Sequence, residues 1–318
     1  MVLQSIIFLS AIFLLASSLN LSAEEMTSEP LRKNECTITS PESDNWIDIA
    51  HQYVNESFCE PAVWFDSFFG SDRIDEEVRP GSHVRWTNDF IQTEGTGFEY
   101  VTKIRASLKL PKATDRLKLV FEGEQEGAIE DVIPSNEEEV KTDIGLLFAL
   151  LQSQRTNLNL KVNLSLEIAL RYRYVYPFTE TFLTRFTQTF YQTDDDAGSQ
   201  SRLDMEKRLN EELLLRWTNI TEDSQLVAGA EQTSALVLFQ KLSNISALSY
   251  ESSVTARTIP ETYNTNARLA VRYRRNFYRK WLFYELVPEI TWPREFVIDE
   301  RKQVGAFMFR LEINFINM

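Results

Sequence analysis

Residues 158–176 read LNLKVNLSLEIALRYRYVY. Even positions from Leu158 through Leu160, Val162, Leu164, Leu166, Ile168 and Leu170 to Tyr172, Tyr174 and Tyr176 are apolar or aromatic, whereas Asn159, Lys161, Asn163, Ser165, Glu167, Arg171 and Arg173 occupy odd ones. A period of two puts these sets on opposite faces of an extended chain. The run is too long for one ordinary strand. A tight turn at Ser165-Leu166-Glu167 divides it and keeps Leu164 and Ile168 on one side.

The same period recurs on either side. Phe98, Tyr100, Thr102, Ile104, Ala106, Leu108 and Leu110 alternate with Glu99, Val101, Lys103, Arg105, Ser107 and Lys109. Ala267, Leu269, Val271 and Tyr273 alternate with Arg268, Ala270, Arg272 and Arg274, and Phe307, Phe309, Leu311, Ile313 and Phe315 with Met308, Arg310, Glu312 and Asn314. Segments of about ten residues with one apolar and one polar face, separated by turns, are the mark of a transmembrane β-barrel. A soluble sandwich also alternates, but its strands are shorter and it would have to leave these files of Arg and Lys on its outer face. Aromatic residues gather toward segment ends (Tyr172, Tyr176, Phe186, Phe190, Tyr284, Trp292), as interfacial girdles require.

Short connections are expected at 111–115, 153–157, 177–180, 209–212, 241–244 and 278–281. Longer polar ones are expected at 93–97, 125–142, 192–200, 219–226, 258–265 and 294–302. With the turn at 165–167 the two kinds alternate, which predicts an all-β antiparallel barrel of 14 strands, with 12 as the alternative. Pro288 interrupts one of these strands.

Composition narrows the function. The 318 residues carry a net charge of −14, a poor match for nucleic acid. Two His and two Cys leave little material for a metal site or for His-based catalysis. None of G-x-S-x-G, the P-loop, the Rossmann fingerprint, H-E-x-x-H or C-x-x-C occurs, and neither His51 nor His83 lies in a nucleophile–base pattern. No catalytic residue, cofactor or metal is assigned. After residue 23 the longest apolar stretch is 144–151, far short of a membrane-spanning helix.

The chain divides in three. Residues 1–23, with the apolar run IIFLSAIFLL at 6–15 and Leu21-Ser22-Ala23 before two Glu, read as a secretory signal peptide. Residues 24–80 hold 14 Asp and Glu against four Arg and Lys, a net of −10, and read as an acidic helical segment, either periplasmic or a plug. Trp46, Ile49, Ala50 and Tyr53 form a helical stripe, and a second apolar cluster follows at Trp64, Phe65, Phe68 and Phe69. Cys36 and Cys59 flank the first helix and, in an oxidising compartment, are expected to pair as a disulfide. Residues 81–318 are the barrel.

With apolar residues facing lipid, the lumen receives Arg105, Arg171, Arg173, Arg268, Arg272, Arg274 and Arg310, accompanied by Glu285, Glu289 and Glu312. Such an interior is either a filling of Arg–carboxylate pairs or an electropositive, anion-favouring passage for a small anionic solute. The expectation is a non-enzymatic barrel with a basic, partly plugged lumen, acting as a restricted channel or envelope component. The alternatives are an outer-membrane enzyme acting on lipid or peptide, and a scaffold for periplasmic partners.

From residue 83 to the end the chain resembles bacterial outer-membrane β-barrel proteins. The final stretch FMFRLEINF, ending at Phe315, resembles the C-terminal signal of that class, although Ile316, Asn317 and Met318 follow it. The stretches AVWFDSFFG (62–70) and LVPEITWPRE (286–295) are similar to a functionally uncharacterised proteobacterial family of such proteins. The resemblance implies an outer-membrane location in a Gram-negative bacterium. It also implies contact with outer-membrane lipid and lipopolysaccharide, and assembly by the outer-membrane assembly machinery.

Overall fold

The structure is a computed structural model that describes Trp64, Phe65, Phe68 and Phe69 together with residues 83–109, 117–123, 142–152 and 155–316, apart from 165–166, 227–228, 260 and 295. The expected signal peptide, the stripe from Trp46 to Tyr53 and the Cys36–Cys59 pair lie outside the described residues.

Fourteen strands run in chain order: β1 His83–Thr93, β2 Gly97–Lys109, β3 Leu117–Gly123, β4 Thr142–Gln152, β5 Thr156–Asn163, β6 Ile168–Thr179 and β7 Phe182–Gln192. They continue with β8 Ala197–Arg208, β9 Leu213–Ser224, β10 Ala230–Ser243, β11 Ser246–Arg257, β12 Tyr263–Asn276, β13 Leu282–Thr291 and β14 Val304–Ile316. Each pairs antiparallel with its neighbours in sequence, and β1 pairs with β14 from His83↔Ile316 to Thr93↔Ala306. The ring closes and no sheet edge remains, so backbone donors and acceptors in the wall are satisfied between strands, as a bilayer demands.

Side chains are sorted as the period dictates. On β12, Arg268, Ala270, Arg272 and Arg274 are buried while Leu269 and Val271 are exposed. On β6, Arg173 is buried while Leu170, Tyr172, Tyr174 and Tyr176 are exposed. The contrast is steep, from 0% exposure at Arg274 to 56% at Ile104 and 51% at Leu269. The molecule is therefore apolar outside and charged inside, the reverse of a water-soluble protein. Exposed Tyr176, Phe178, Trp281 and Phe315 lie toward one end, and Phe90, Phe98, Phe190 and Phe307 toward the other. Asn88 shares the outward face of β1 with Trp86 and Phe90, and it is capped by hydrogen bonds from Tyr100 Oη (2.7 Å) and Thr102 Oγ1 (3.2 Å).

The division of 158–176 falls where expected. β5 ends at Asn163, β6 begins at Ile168, and Asn163 N–H donates to the Glu167 carbonyl across the turn. Other boundaries move. The expected loop at 219–226 is mostly strand, because β9 runs to Ser224 and pairs on both sides, Thr221 with Ser201 and Gln232, and Asp223 with Ser199 and Ala230. Polar composition is not a break when both neighbouring strands are present to bond the backbone. Likewise 93–97 contracts to a turn at 94–96, with Gly95 and Gly97 at φ +93° and +98°, a conformation side-chain-bearing residues rarely take. Pro288 lies inside β13 and pairs with Phe307. On its other side the β12 pairing lapses between Ala270↔Glu289 and Tyr273↔Leu286 and resumes in the same register, the gap expected where a ladder donor is missing.

Candidate functional site

The candidate site is the charged interior, and its two sides differ. On the side formed by β11 to β14 and β1, long side chains interlock. Glu251 on β11 sits opposite Ala270, so its carboxylate reaches the two arginines flanking that small residue. Arg268 Nη1 lies 2.9 Å from Glu251 Oε2, and Arg272 Nε 3.1 Å from Glu251 Oε1. Arg268 Nε also meets Glu289 at 2.8 Å, and Arg272 Nη1 meets Glu285 at 3.1 Å. Arg274, with no exposed surface, donates to Glu285 and, at 2.6 and 2.8 Å, to both oxygens of Glu312. Arg310 holds Asp89 with Nε at 2.6 Å and Nη2 at 2.9 Å, and Arg85 approaches Glu312 at 3.9 Å.

Arg310 Nη1 also lies 3.8 Å from Glu285, so five guanidinium groups meet five carboxylates in one connected network. Burying any of these ions alone would carry a desolvation penalty of several kcal/mol, roughly, so each persists only because opposite charges adjoin it. A smaller cluster spans β7 to β9. Glu206 lies 3.1 Å from Arg216 and 3.8 Å from Arg185, and Asp204 takes Arg202 at 3.0 Å and the Thr218 hydroxyl at 2.7 Å.

The opposite side has another character. The inward positions of β4 to β7, as far as they are described, are Gly145, Leu147 and Ala149; Asn157, Asn159, Lys161 and Asn163; Ala169, Arg171, Arg173, Val175 and Pro177; and Leu183, Arg185, Thr187, Thr189 and Tyr191. These described positions include four cations and no carboxylate, and one of the four, Arg185, belongs to the Glu206 cluster across the ladder. Lys161 and Arg173 are buried, and Arg173 Nε donates to Thr187 Oγ1 at 3.3 Å. None of Lys161, Arg171 and Arg173 is without a partner.

The residues predicted from sequence all lie inward, but they divide between the two sides. Arg268, Arg272, Arg274, Arg310, Glu285, Glu289 and Glu312 join the network, Arg171 and Arg173 stand on β6, and Arg105 stands half-buried on β2 opposite Arg85. Asp89, Arg202 and Glu251 were not predicted. Asp89 had a signal, because Val84, Trp86, Asn88 and Phe90 set the outward parity of β1. Glu251 had a fainter one, in the outward file Leu248, Tyr250, Ser252 and Val254.

At the end where the connections 209–212, 244–245 and 277–281 lie, the inner wall turns apolar. Leu214, Val237, Phe239 and Ala247 are buried there, with Phe283 packed beside them. Trp64, Phe65, Phe68 and Phe69, all helical, pack on that patch. Phe65 and Phe69 meet Phe239 at 5.4 and 5.3 Å between ring centroids, and Phe68 meets Phe283 edge-on at 5.8 Å. Among the described residues no group of three or more His, Cys, Asp or Glu is placed to hold a metal ion.

No protein-family model matches the chain, and no curated protein does. Among solved structures it is similar to a bacterial polysaccharide outer membrane secretin, at 9% identity and a TM-score of 0.47, over 74% of this chain and 98% of that one. It is similar also to OmpT of Vibrio cholerae (8%, 0.46, 74% and 97%) and to an anion-selective porin from Comamonas acidovorans (8%, 0.42, 74% and 98%). The class follows from the molecule itself. A closed, even-numbered antiparallel barrel with an apolar, aromatic-banded exterior and a charged interior is a bacterial outer-membrane β-barrel, and the outer membrane is its location.

Proposed function

We propose that the protein is a non-enzymatic, restricted channel of the outer membrane, with a partly plugged lumen that favours small anionic solutes. The observation that carries this reading is the inner wall of β5 and β6, where Lys161, Arg171 and Arg173 turn inward beside Asn157, Asn159, Thr187 and Thr189. Cationic side chains lining a passage favour anions. The restriction is supported by the burial of inward side chains around most of the ring and by the four aromatic rings seated at the turn-rich end. In outer-membrane barrels the end with short turns faces the periplasm. Outer-membrane lipid and lipopolysaccharide are the partners of the exterior in this reading, and the assembly machinery inserts it.

Planar-bilayer recording under a potassium chloride gradient tests it. The expected result is a small conductance with a chloride-favouring reversal potential, and a shift toward potassium when Arg171 and Arg173 are both replaced by Gln. Removing residues 24–80 should raise the conductance. A reversal potential that favours potassium in the unaltered chain, or that ignores both substitutions, would overturn the anion preference.

A further inference from the structure

The apolar patch inside the turn-rich end is built for aromatic rings. We infer that it is a receptacle for helical aromatic residues, and that Trp64, Phe65, Phe68 and Phe69 occupy it as an autoinhibitory contact of the channel proposed above. The argument begins with spacing. Trp64 and Phe68 are one helical turn apart and stack at 4.8 Å with planes 10° apart, and Phe65 and Phe69, also one turn apart, both rest on Phe239. A single side of one turn thus presents all four rings to the wall.

The wall answers with two kinds of group. Leu214, Val237, Phe239, Ala247 and Phe283 supply the apolar floor. Three cations supply the rest. Lys241 Nζ stands 4.6 Å from the Trp64 ring, Arg216 stands 5.1 Å from Phe239, and Arg274 lies 4.3 Å from Phe283 and 6.0 Å from Phe68. Cations over ring faces are attracted by the ring quadrupole, more strongly where water is excluded. Arg274 and Arg216 are themselves fixed by Glu285, Glu312 and Glu206, so the cationic side of the receptacle is held by the ion network. An inward apolar floor is out of place in a water-filled pore and fits an aromatic occupant. The seat lies at the end where β1 starts, and the fourteen-residue step from Phe69 to His83 spans at most about 50 Å extended, enough for tethered release.

The occupant acts as a unit, so it can be removed by substitution and returned in trans. The experiment uses the full-length chain with W64A, F65A, F68A and F69A together, in detergent, and a labelled peptide of sequence EPAVWFDSFFGS (residues 60–71). Fluorescence anisotropy should show saturable binding. Adding Phe239→Ala should weaken it at least about tenfold, and Lys241→Met about threefold, as loss of an aromatic floor and of one cation–π contact predict. The unaltered chain, its seat already filled, should bind the peptide far more weakly. In bilayers the quadruple variant should conduct more than the unaltered chain, and peptide added on the turn-rich side alone should reverse the gain. Absence of saturable binding, or binding indifferent to Phe239, overturns the receptacle whatever the bilayer shows. Binding without any conductance in either chain overturns the channel reading and leaves the receptacle standing. Binding with equal conductance in both chains removes the autoinhibitory role.

Discussion

The two sides of the lumen are built from the same period and the same alphabet, yet they solve opposite problems. From β11 round to β1 every buried guanidinium finds a carboxylate on the next strand, and the charges cancel, five against five. On β5 and β6 the described cross-strand neighbours of Arg171 and Arg173 are Asn and Thr, while Arg185 on β7 reaches Glu206. The difference lies in what faces each arginine across the ladder. Arg274 is paired in register with Glu285, and Arg310 with both Glu285 and Asp89, whereas Arg171 faces Asn159 and Thr189, and Arg173 faces Asn157 and Thr187. A balanced network contributes rigidity and little field. Cations whose described cross-strand neighbours are neutral leave more of their field in the lumen.

The largest effect should come from unbalancing the paired side. Glu285→Gln keeps the shape but leaves Arg272 and Arg274 with one carboxylate fewer. Its expected cost is about 3–5 kcal/mol, seen as a lower urea midpoint for unfolding from lipid vesicles. A change under about 1 kcal/mol would mean that the network is not desolvated and that the two sides do not differ.

Next comes Arg173→Gln on the other side, which removes a charged donor to Thr187. About 1.5–3 kcal/mol is expected, below the value for Glu285→Gln in the same assay. A larger loss than that from Glu285→Gln would invert the comparison.

The Asp89–Arg310 pair joins β1 to β14 and so helps close the ring. Asp89→Asn and Arg310→Gln, made singly and together, should show a coupling energy of about 0.5–3 kcal/mol, and an additive double variant would show that the bidentate contact is not formed. The smallest effect is at the exposed rim. Glu231→Gln breaks the 2.8 Å contact with Arg257, and since both groups are about two-fifths exposed (40% and 44%) its loss should stay within about 1 kcal/mol and vanish in high salt.

Much of this was legible beforehand, for a definite reason. Alternation is a property of adjacent residues, so the inward parity of Arg268, Arg272 and Arg274, or of Arg310 and Glu312, can be read without knowing any neighbour. In SALSYESSVTAR short polar side chains blur the parity, so the inward position of Glu251 does not stand out along the chain. The polar stretch at 219–226, expected as a loop, is strand as far as Ser224, because hydrogen bonds from β8 and β10 override local composition.

Period and parity, and with them the inward placement of Arg268, Arg272, Arg274, Arg310 and Glu312, are legible along the chain, and the spacing of turns pointed to 14 strands with 12 as the alternative. Tertiary structure alone decided which carboxylate meets which arginine, since that depends on register between strands and, for Asp89 and Arg310, on closing a ring across 221 positions. The seating of Phe65 and Phe69 on Phe239 and of Phe68 on Phe283 likewise comes only from the folded barrel. Spacing along the chain reports which way a side chain points. What it meets there is set by strands distant in sequence, whose positions follow from closure of the whole barrel.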